Sequence, residues 1–320
     1  MDPQVRAYLD AAAAAGIPPV EQLTPQEARQ NVITAAPLLA GSGPELPRIE
    51  DGRVPGPAGN ISVRLYSPQP HGSEPLPVTV YFHGGGWVVG NLDTHDALAR
   101  HLAQASGTIV FAADYRLAPE HPFPAALEDA WTVTRWVHEH AAEIGADPDR
   151  IAVAGDSAGG NLAAVVALRA RDEGLPLRLQ VLIYPVTDCD LDTESYHVNA
   201  EGYGLTRAAM EWYWNHYCPE PQLRLNPEAS PLRAANLAGV APALVVLCEL
   251  DPLRDEGEAY ARRLQAAEVP VELARYPGMI HGFVRMFAVI DRTHDLTRQI
   301  GGALRRAMAA KGVAEEAREA

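Results

Sequence analysis

Ile151-Ala152-Val153-Ala154-Gly155-Asp156-Ser157-Ala158-Gly159 is the stretch on which the reading of this chain turns. Its first four residues form a short apolar run of strand character, and the alanine-rich stretch from Asn161 to Arg171 has helical character. Ser157 therefore falls on a strand-to-helix turn. Such a turn is tight enough to demand small neighbours, and it holds the serine hydroxyl clear of the backbone at the N-terminus of the next helix. There the helix dipole favours developing negative charge, so a nucleophilic serine is expected.

Upstream, Val78-Thr79-Val80-Tyr81-Phe82 is a β-branched and aromatic run that ends in His83-Gly84-Gly85-Gly86-Trp87. Three glycines leave their backbone N–H groups unobstructed. A serine that attacks an ester carbonyl creates an oxyanion, and each N–H aimed at that oxygen is worth about 3 kcal/mol. The bland alternative is a glycine turn that only redirects the chain.

Serine also needs a neutral imidazole to take its proton. In α/β hydrolases the chain order is Ser, acid, His, which leaves His197, His216, His281 and His294 of eleven histidines. His281 is favoured because it follows the strand-like Val271 to Tyr276 and an expected turn, Pro277-Gly278-Met279-Ile280. His216 and His294 look helical. For the acid, Ala243 to Leu250 reads as a buried strand, Asp251 is the first residue beyond it, and Pro252 then opens a helix. Asp251 could serve only as that helix's N-cap. It ranks first as the acid, Asp188 second, with Asp190 and Asp255 behind.

Together these residues resemble the hormone-sensitive-lipase branch of the α/β hydrolases, the bacterial family IV esterases marked by HGGG and GDSAGG. The resemblance spans most of the chain: His83 to Trp87, Asp114 to Ala125, Gly155 to Asn161, Asp251 to Asp255 and His281-Gly282-Phe283. It implies an α/β fold with a mostly parallel central sheet, helices on both faces and a helical cap. It makes Ser157, Asp251 and His281 the triad, with Gly84, Gly85, Gly86 and Ala158 around the oxyanion; of the glycines, Gly85 and Gly86 are favoured as donors. It also implies a carboxylesterase for short to medium acyl esters, with an optimum near about four to eight carbons. Amide, lactone and acetyl-ester hydrolysis use the same chemistry. The rival of another class is a non-catalytic small-molecule receptor on this fold, and the presence of His281 argues against it. His83, Asp129, Asp156, Glu120 and His121 are read as structural partners, because buried polar groups need partners whatever the function.

Composition fits a globular enzyme: 320 residues, 47% hydrophobic and 21% charged. A net charge of -15 argues against nucleic acid as a partner. No basic leader and no apolar run of membrane length is visible, so a cytoplasmic protein without membrane contact is expected. A second copy of the chain is the one macromolecular partner left open. Cys189, Cys218 and Cys248 lack metal or disulfide spacing, and Lys311 is the single lysine, which removes Schiff-base chemistry. Neither a cofactor nor a metal is expected.

Residues 46–187 and 228–320 are assigned to the hydrolase core, residues 1–45 and 188–227 to the cap. Helices are expected at Asp96 to Ala105, Ala125 to Ala142, Asn161 to Arg171, Arg254 to Ala267 and Asp295 to Met308, and an antiparallel edge strand at Ile61 to Tyr66. In the first cap segment Thr24-Pro25-Gln26-Glu27 reads as a capping box opening an amphipathic helix to about Leu39. In the second, Met210, Tyr213, Trp214 and Tyr217 share one face of a helix starting after Thr206. That stripe is either packing or the wall of an acyl pocket, for which Trp87, Leu205, Tyr213, Trp214 and Ile280 are the candidates.

Overall fold

The computed structural model describes residues 1–309. Lys311 lies outside the described residues. Eight strands form one sheet: β1 (Arg48–Gly56), β2 (Gly59–Ser67), β3 (Leu76–Phe82), β4 (Ile109–Asp114), β5 (Ala146–Asp156), β6 (Leu179–Ile183), β7 (Ala243–Leu250) and β8 (Val271–Ile280). Their order is β1-β2-β4-β3-β5-β6-β7-β8. β2 runs antiparallel to both neighbours, and all pairs from β4 to β8 are parallel.

Helices of two turns or more are α1 (Pro3–Ala14), α2 (Pro25–Ala40), α3 (Asp96–Ser106), α4 (Ala125–Glu139), α5 (Ala158–Glu173), α6 (Arg207–Tyr217), α7 (Arg254–Ala266) and α8 (Arg292–Met308). The period-two alternation of the strands feeds two cores. Val78, Val80 and Phe82 of β3 pack with Leu127 of α4, Leu162 of α5 and Leu264 of α7. Tyr81, between them, joins Leu98 of α3 and Leu296 of α8 in the second core. The sheet is thus covered on both faces, as a parallel sheet must be.

Four strands then end at the same end of the sheet, β3 beside β5 and β7 beside β8 with β6 between the two pairs, and a residue singled out in the sequence lies just beyond each. His83 follows β3, Ser157 follows β5, Asp251 follows β7 and His281 follows β8. Parallel strands bring these positions, 198 residues apart at the extremes, to one end of the sheet.

Several expectations need correction. The strand at Ile61–Tyr66 is antiparallel but not at the edge; β1 takes that place. Only Val54 of β1 is buried, so β1 lacks the apolar alternation that marks a strand in sequence. Pro277 to Ile280 is not a turn: β8 continues through it, with an irregularity opposite Cys248 to Leu250. Gly278 absorbs it at φ 75°, its N–H held by Glu249 Oε2 at 2.7 Å. Helix α4 stops at Glu139 rather than Ala142, and α8 starts at Arg292, three residues before the expected Asp295.

The stretch before β1 and the stretch between β6 and β7 meet. The turn Val20–Gln22 packs on α6. Thr24 caps α2 reciprocally with Glu27 in the expected capping box, and the Thr206 side chain caps α6. Arg29 of α2 reaches back to the core, donating to both oxygens of Glu120 and to the carbonyls of Val88 and Ala118. Two of those acceptors are backbone, so this fork fixes α2 against the glycine-loop segment as well as against an acid. Among the described residues, no helix is long and apolar enough to cross a membrane.

Candidate active site

Ser157 sits between β5 and α5 with φ 56° and ψ -120°, a conformation that non-glycine residues rarely adopt. The turn is enforced by its neighbours. A Cβ on Gly155 would lie 2.2 Å from the carbonyl oxygen of Gly159, and one on Gly159 would lie 1.9 Å from that of Phe82. The Ser157 N–H donates to Ile183 O at 2.8 Å, which anchors the strained residue to β6.

His281 Nε2 stands 2.9 Å from Ser157 Oγ, and its Nδ1 stands 2.8 Å from Asp251 Oδ2. A carboxylate accepts only, so the imidazole proton belongs on Nδ1 and Nε2 is left as an acceptor facing the hydroxyl. Asp251 is fully buried; its Oδ1 accepts the N–H of Leu253 at 2.9 Å. The Tyr184 ring packs against the imidazole, centroids 4.4 Å apart.

The rival residues lie elsewhere. Asp188 is paired with Arg233, Asp255 accepts the N–H of Ser195, and Asp190 accepts that of Asp192. His197 pairs with Asp192, while His216 lies on α6 against Trp212 and His294 on α8 against His101.

The glycine loop is braced from below. His83 is buried and stacks on Tyr115 at 4.3 Å, and its Nδ1 donates to Gly84 O at 2.8 Å. Burial and the nearby His95 push the His83 pKa down to about 3, so the ring is neutral. Asp156 accepts the Tyr81 hydroxyl at 2.7 Å and the Gly84 N–H at 2.8 Å. Burial opposes its charge, yet His95, the Arg285 charge and the Tyr81 hydroxyl hold the carboxyl well below the usual carboxylate range. Gly84 is therefore already committed. The N–H groups of Gly85, Gly86 and Ala158 donate to no described residue, and the first turn of a helix leaves its N–H groups free in any case.

A cavity of about 110 Å³ joins Ser157, His281 and the three glycines to Val32, Val89, Leu205, Met210, Tyr213, Gly282 and Arg285. Of the expected pocket residues, Leu205 and Tyr213 line it. The Tyr213 ring lies so close to Gly86 that a Cβ there would meet it at 2.1 Å. Trp87, Trp214 and Ile280 do not line it. Trp87 and Trp214 are fully buried, 5.0 Å apart, with Trp87 stacked on Tyr217 at 4.0 Å. The aromatic stripe of α6 is thus divided, Met210 and Tyr213 facing the cavity and Trp214 and Tyr217 the core. Sequence reasoning missed Val32, Val89 and Arg285. Arg285 stands two residues beyond the quoted His281-Gly282-Phe283, the signal that could have found it.

Comparison with known proteins gives this geometry its family. The model of the α/β hydrolase fold matches residues 79–285. The chain belongs to the α/β hydrolases, in their hormone-sensitive-lipase-like branch. Carboxylesterase NlhH of Mycobacterium tuberculosis is 47% identical over 271 residues, 83% of this chain and 84% of that one. Ethyl acetate hydrolase of Pseudomonas putida is 41% identical over 304 residues, covering 92% and 95%. Among solved structures, a thermostable esterase from Pseudomonas putida ECU1011 superposes with a TM-score of 0.92 at 40% identity, covering 97% of this chain and 98% of that one. The hyperthermophilic esterase of Pyrobaculum calidifontis gives 0.91 at 41%, covering 97% and 99%. This α/β hydrolase therefore shares its fold with proteins named as esterases.

Proposed function

We propose that this α/β hydrolase is a carboxylesterase that cleaves short to medium acyl esters through an acyl-enzyme. The observation that carries the reading is the continuous chain from Asp251 through His281 to Ser157, with both links under 3 Å.

In this reading His281 Nε2 takes the Ser157 proton as Oγ attacks the ester carbonyl. The carbonyl π electrons move onto oxygen, and the N–H groups of Gly85, Gly86 and Ala158 hold that oxyanion. Collapse breaks the bond to the alkoxy group, which leaves with the proton from His281. Water, deprotonated by His281, then attacks the acyl-serine, and the acid departs as the serine recovers its proton. Asp251 fixes the imidazole tautomer and stabilises the imidazolium in each half. Residues 1–45 and 188–227 act as the cap, and Val32, Leu205, Met210 and Tyr213 limit the acyl chain.

The names of the relatives support ester hydrolysis over a receptor role, as does a histidine within reach of the serine. The test is turnover of 4-nitrophenyl esters from acetate to palmitate, with phosphonate labelling followed by peptide mapping. Turnover of the shorter esters and a label on Ser157 are expected. A stable, folded protein with no turnover and no label would overturn the reading.

A further inference from the structure

Arg285 is a cation on the wall of the catalytic cavity that forms no ion pair and no side-chain hydrogen bond with any described residue, although its charge acts on the buried Asp156 carboxylate. It ends the single turn Phe283–Arg285, four residues beyond His281. Arg64, Arg116, Arg169 and Arg233 each hydrogen-bond a carboxylate. Among the described residues the Arg285 side chain pairs with no acid and makes no hydrogen bond, and its Nε is sealed from solvent without an acceptor. The buried carboxylate of Asp156 feels the Arg285 charge but takes its hydrogen bonds from Tyr81 and Gly84 and its close contact from His95, so it offers the guanidinium no direct partner.

An unpaired, partly desolvated charge is costly unless something arrives to pair with it. Arg285 is placed to receive such a group. It lines the 110 Å³ cavity that holds Ser157, and also an adjoining one of about 230 Å³ between α2 and the Gly282–Met286 segment. Val32 and Gly282 are shared by both cavities, and the second is otherwise walled mainly by apolar side chains such as Ile17, Leu39 and Met286. Along this double cavity a planar, forked donor stands beside the nucleophile. A guanidinium fork matches a carboxylate, two N–H groups to two oxygens. The overall charge of -15 repels anions at a distance, so an anionic substrate needs a local cation of this kind.

We propose that Arg285 determines specificity by binding a carboxylate carried on the ester itself, so that acid-bearing esters are preferred to neutral ones. This rests on the esterase reading above. The carboxylate belongs either to the acyl part, as in a half-ester of a dicarboxylic acid, or to the alcohol part, as in an acyloxy acid.

The two sources are separated by two substrate pairs, each carboxylate set against its carboxamide: 4-nitrophenyl hemiglutarate against 4-nitrophenyl glutaramate, and 2-acetoxypropanoate against 2-acetoxypropanamide. Wild-type kcat/KM should favour the carboxylate in at least one pair by on the order of ten- to a hundredfold, the usual worth of a charged hydrogen bond. The pair that responds identifies the side. High salt should shrink the preference, Arg285→Gln should abolish it, and Arg285→Lys should keep part of it. Since the wild-type ratio stands alone, poor folding of a variant does not blunt the test. No preference in either wild-type pair, a preference that survives in folded Arg285→Gln, or an equal loss on both members of each pair would overturn the proposal while leaving the esterase reading intact. Failure of wild type to turn over all four esters, with no phosphonate label on Ser157, would overturn the esterase reading and this proposal with it.

Discussion

The backbone N–H of Gly84 donates to the side chain of Asp156 at 2.8 Å, across 72 residues of chain. One residue beyond Asp156 is the serine, and one residue beyond Gly84 the loop turns to φ 125° at Gly85. A single buried carboxylate therefore ties the Ser157 turn to the glycine loop. The bond also occupies the Gly84 N–H and leaves those of Gly85 and Gly86 without an acceptor among the described residues, although all three glycines line the cavity. Asp156 can do this because it stays ionised, held so by His95, the Arg285 charge and the Tyr81 hydroxyl despite complete burial.

Replacing the nucleophile should separate chemistry from folding. Ser157→Ala should lower kcat on a simple ester by on the order of a millionfold with an unchanged melting temperature, as removal of a triad serine does elsewhere. Stopped-flow and thermal-shift measurements on purified protein check both parts.

The acid can be tested against its rival. Asp251→Asn should cost roughly ten-thousandfold in kcat, because the amide turns the imidazole to the wrong tautomer. Asp188 pairs with Arg233 and does not touch His281, so Asp188→Asn should leave kcat within a few fold of wild type. A larger loss at Asp188 than at Asp251 would reverse the assignment.

Gly86 has φ 56° and its missing side chain faces the Tyr213 ring. Gly86→Ala should displace either the ring or the loop and so move an oxyanion donor, lowering kcat by on the order of a hundredfold or more. The acyl-length preference should change as well, since Tyr213 lines the cavity. Kinetics across an ester series, beside circular dichroism, would show both effects.

Leu205 sets part of the cavity's depth. Leu205→Ala removes apolar volume, and each methylene newly buried is worth about 0.8 kcal/mol, roughly fourfold in kcat/KM. The optimum should therefore move to longer acyl chains by about one to three carbons. An unshifted optimum would remove Leu205 from the acyl wall.

Acid stability follows from two histidines. Burial and His95 push His83 down to about 3, and burial with His294 pushes His101 down to about 4, whereas the unfolded value is near 6.5. Between those limits the unfolded chain binds more protons, so stability falls as pH drops from about 6.5 toward 4. Asp114, raised to about 6 by burial and Asp93, and Glu256, raised by burial, act in the opposite sense over part of that range, while His95, lowered by burial, adds to the two histidines. The melting temperature should still fall from pH 7 to 4.5, and less steeply in His101→Asn. Calorimetry at several pH values gives the slopes.

The parts of the site legible in the sequence were those governed by local rules. The tight turn at Ser157 needs small neighbours in consecutive positions, a strand of β-branched residues announces itself by composition, and the Thr24 and Thr206 caps depend on residues three places away. The edge strand β1 and the run of β8 through Gly278 stayed hidden for the converse reason. Polar residues form β1 because β2 offers a pairing edge, and Gly278 accepts its bend because Glu249 of β7 holds it.

Sequence by itself determined the fold class, the serine at its turn and the list of candidate partners, because sterics and hydrophobic period act within a few residues. Only the tertiary structure decided which partners meet. Asp251 and Asp188 each follow a strand, and the choice between them depends on where β7 and β8 lie side by side. Trp87 and Trp214 have the same apolar bulk as any pocket residue, but packing turned them onto Tyr217 and left Tyr213 to face the serine. Arg285 is one arginine among many in the sequence; only the folded chain shows that it has no ion-pair partner among the described residues and lines the same cavity as Ser157. Long-range packing assigns a side chain its neighbours, and chemistry depends on neighbours.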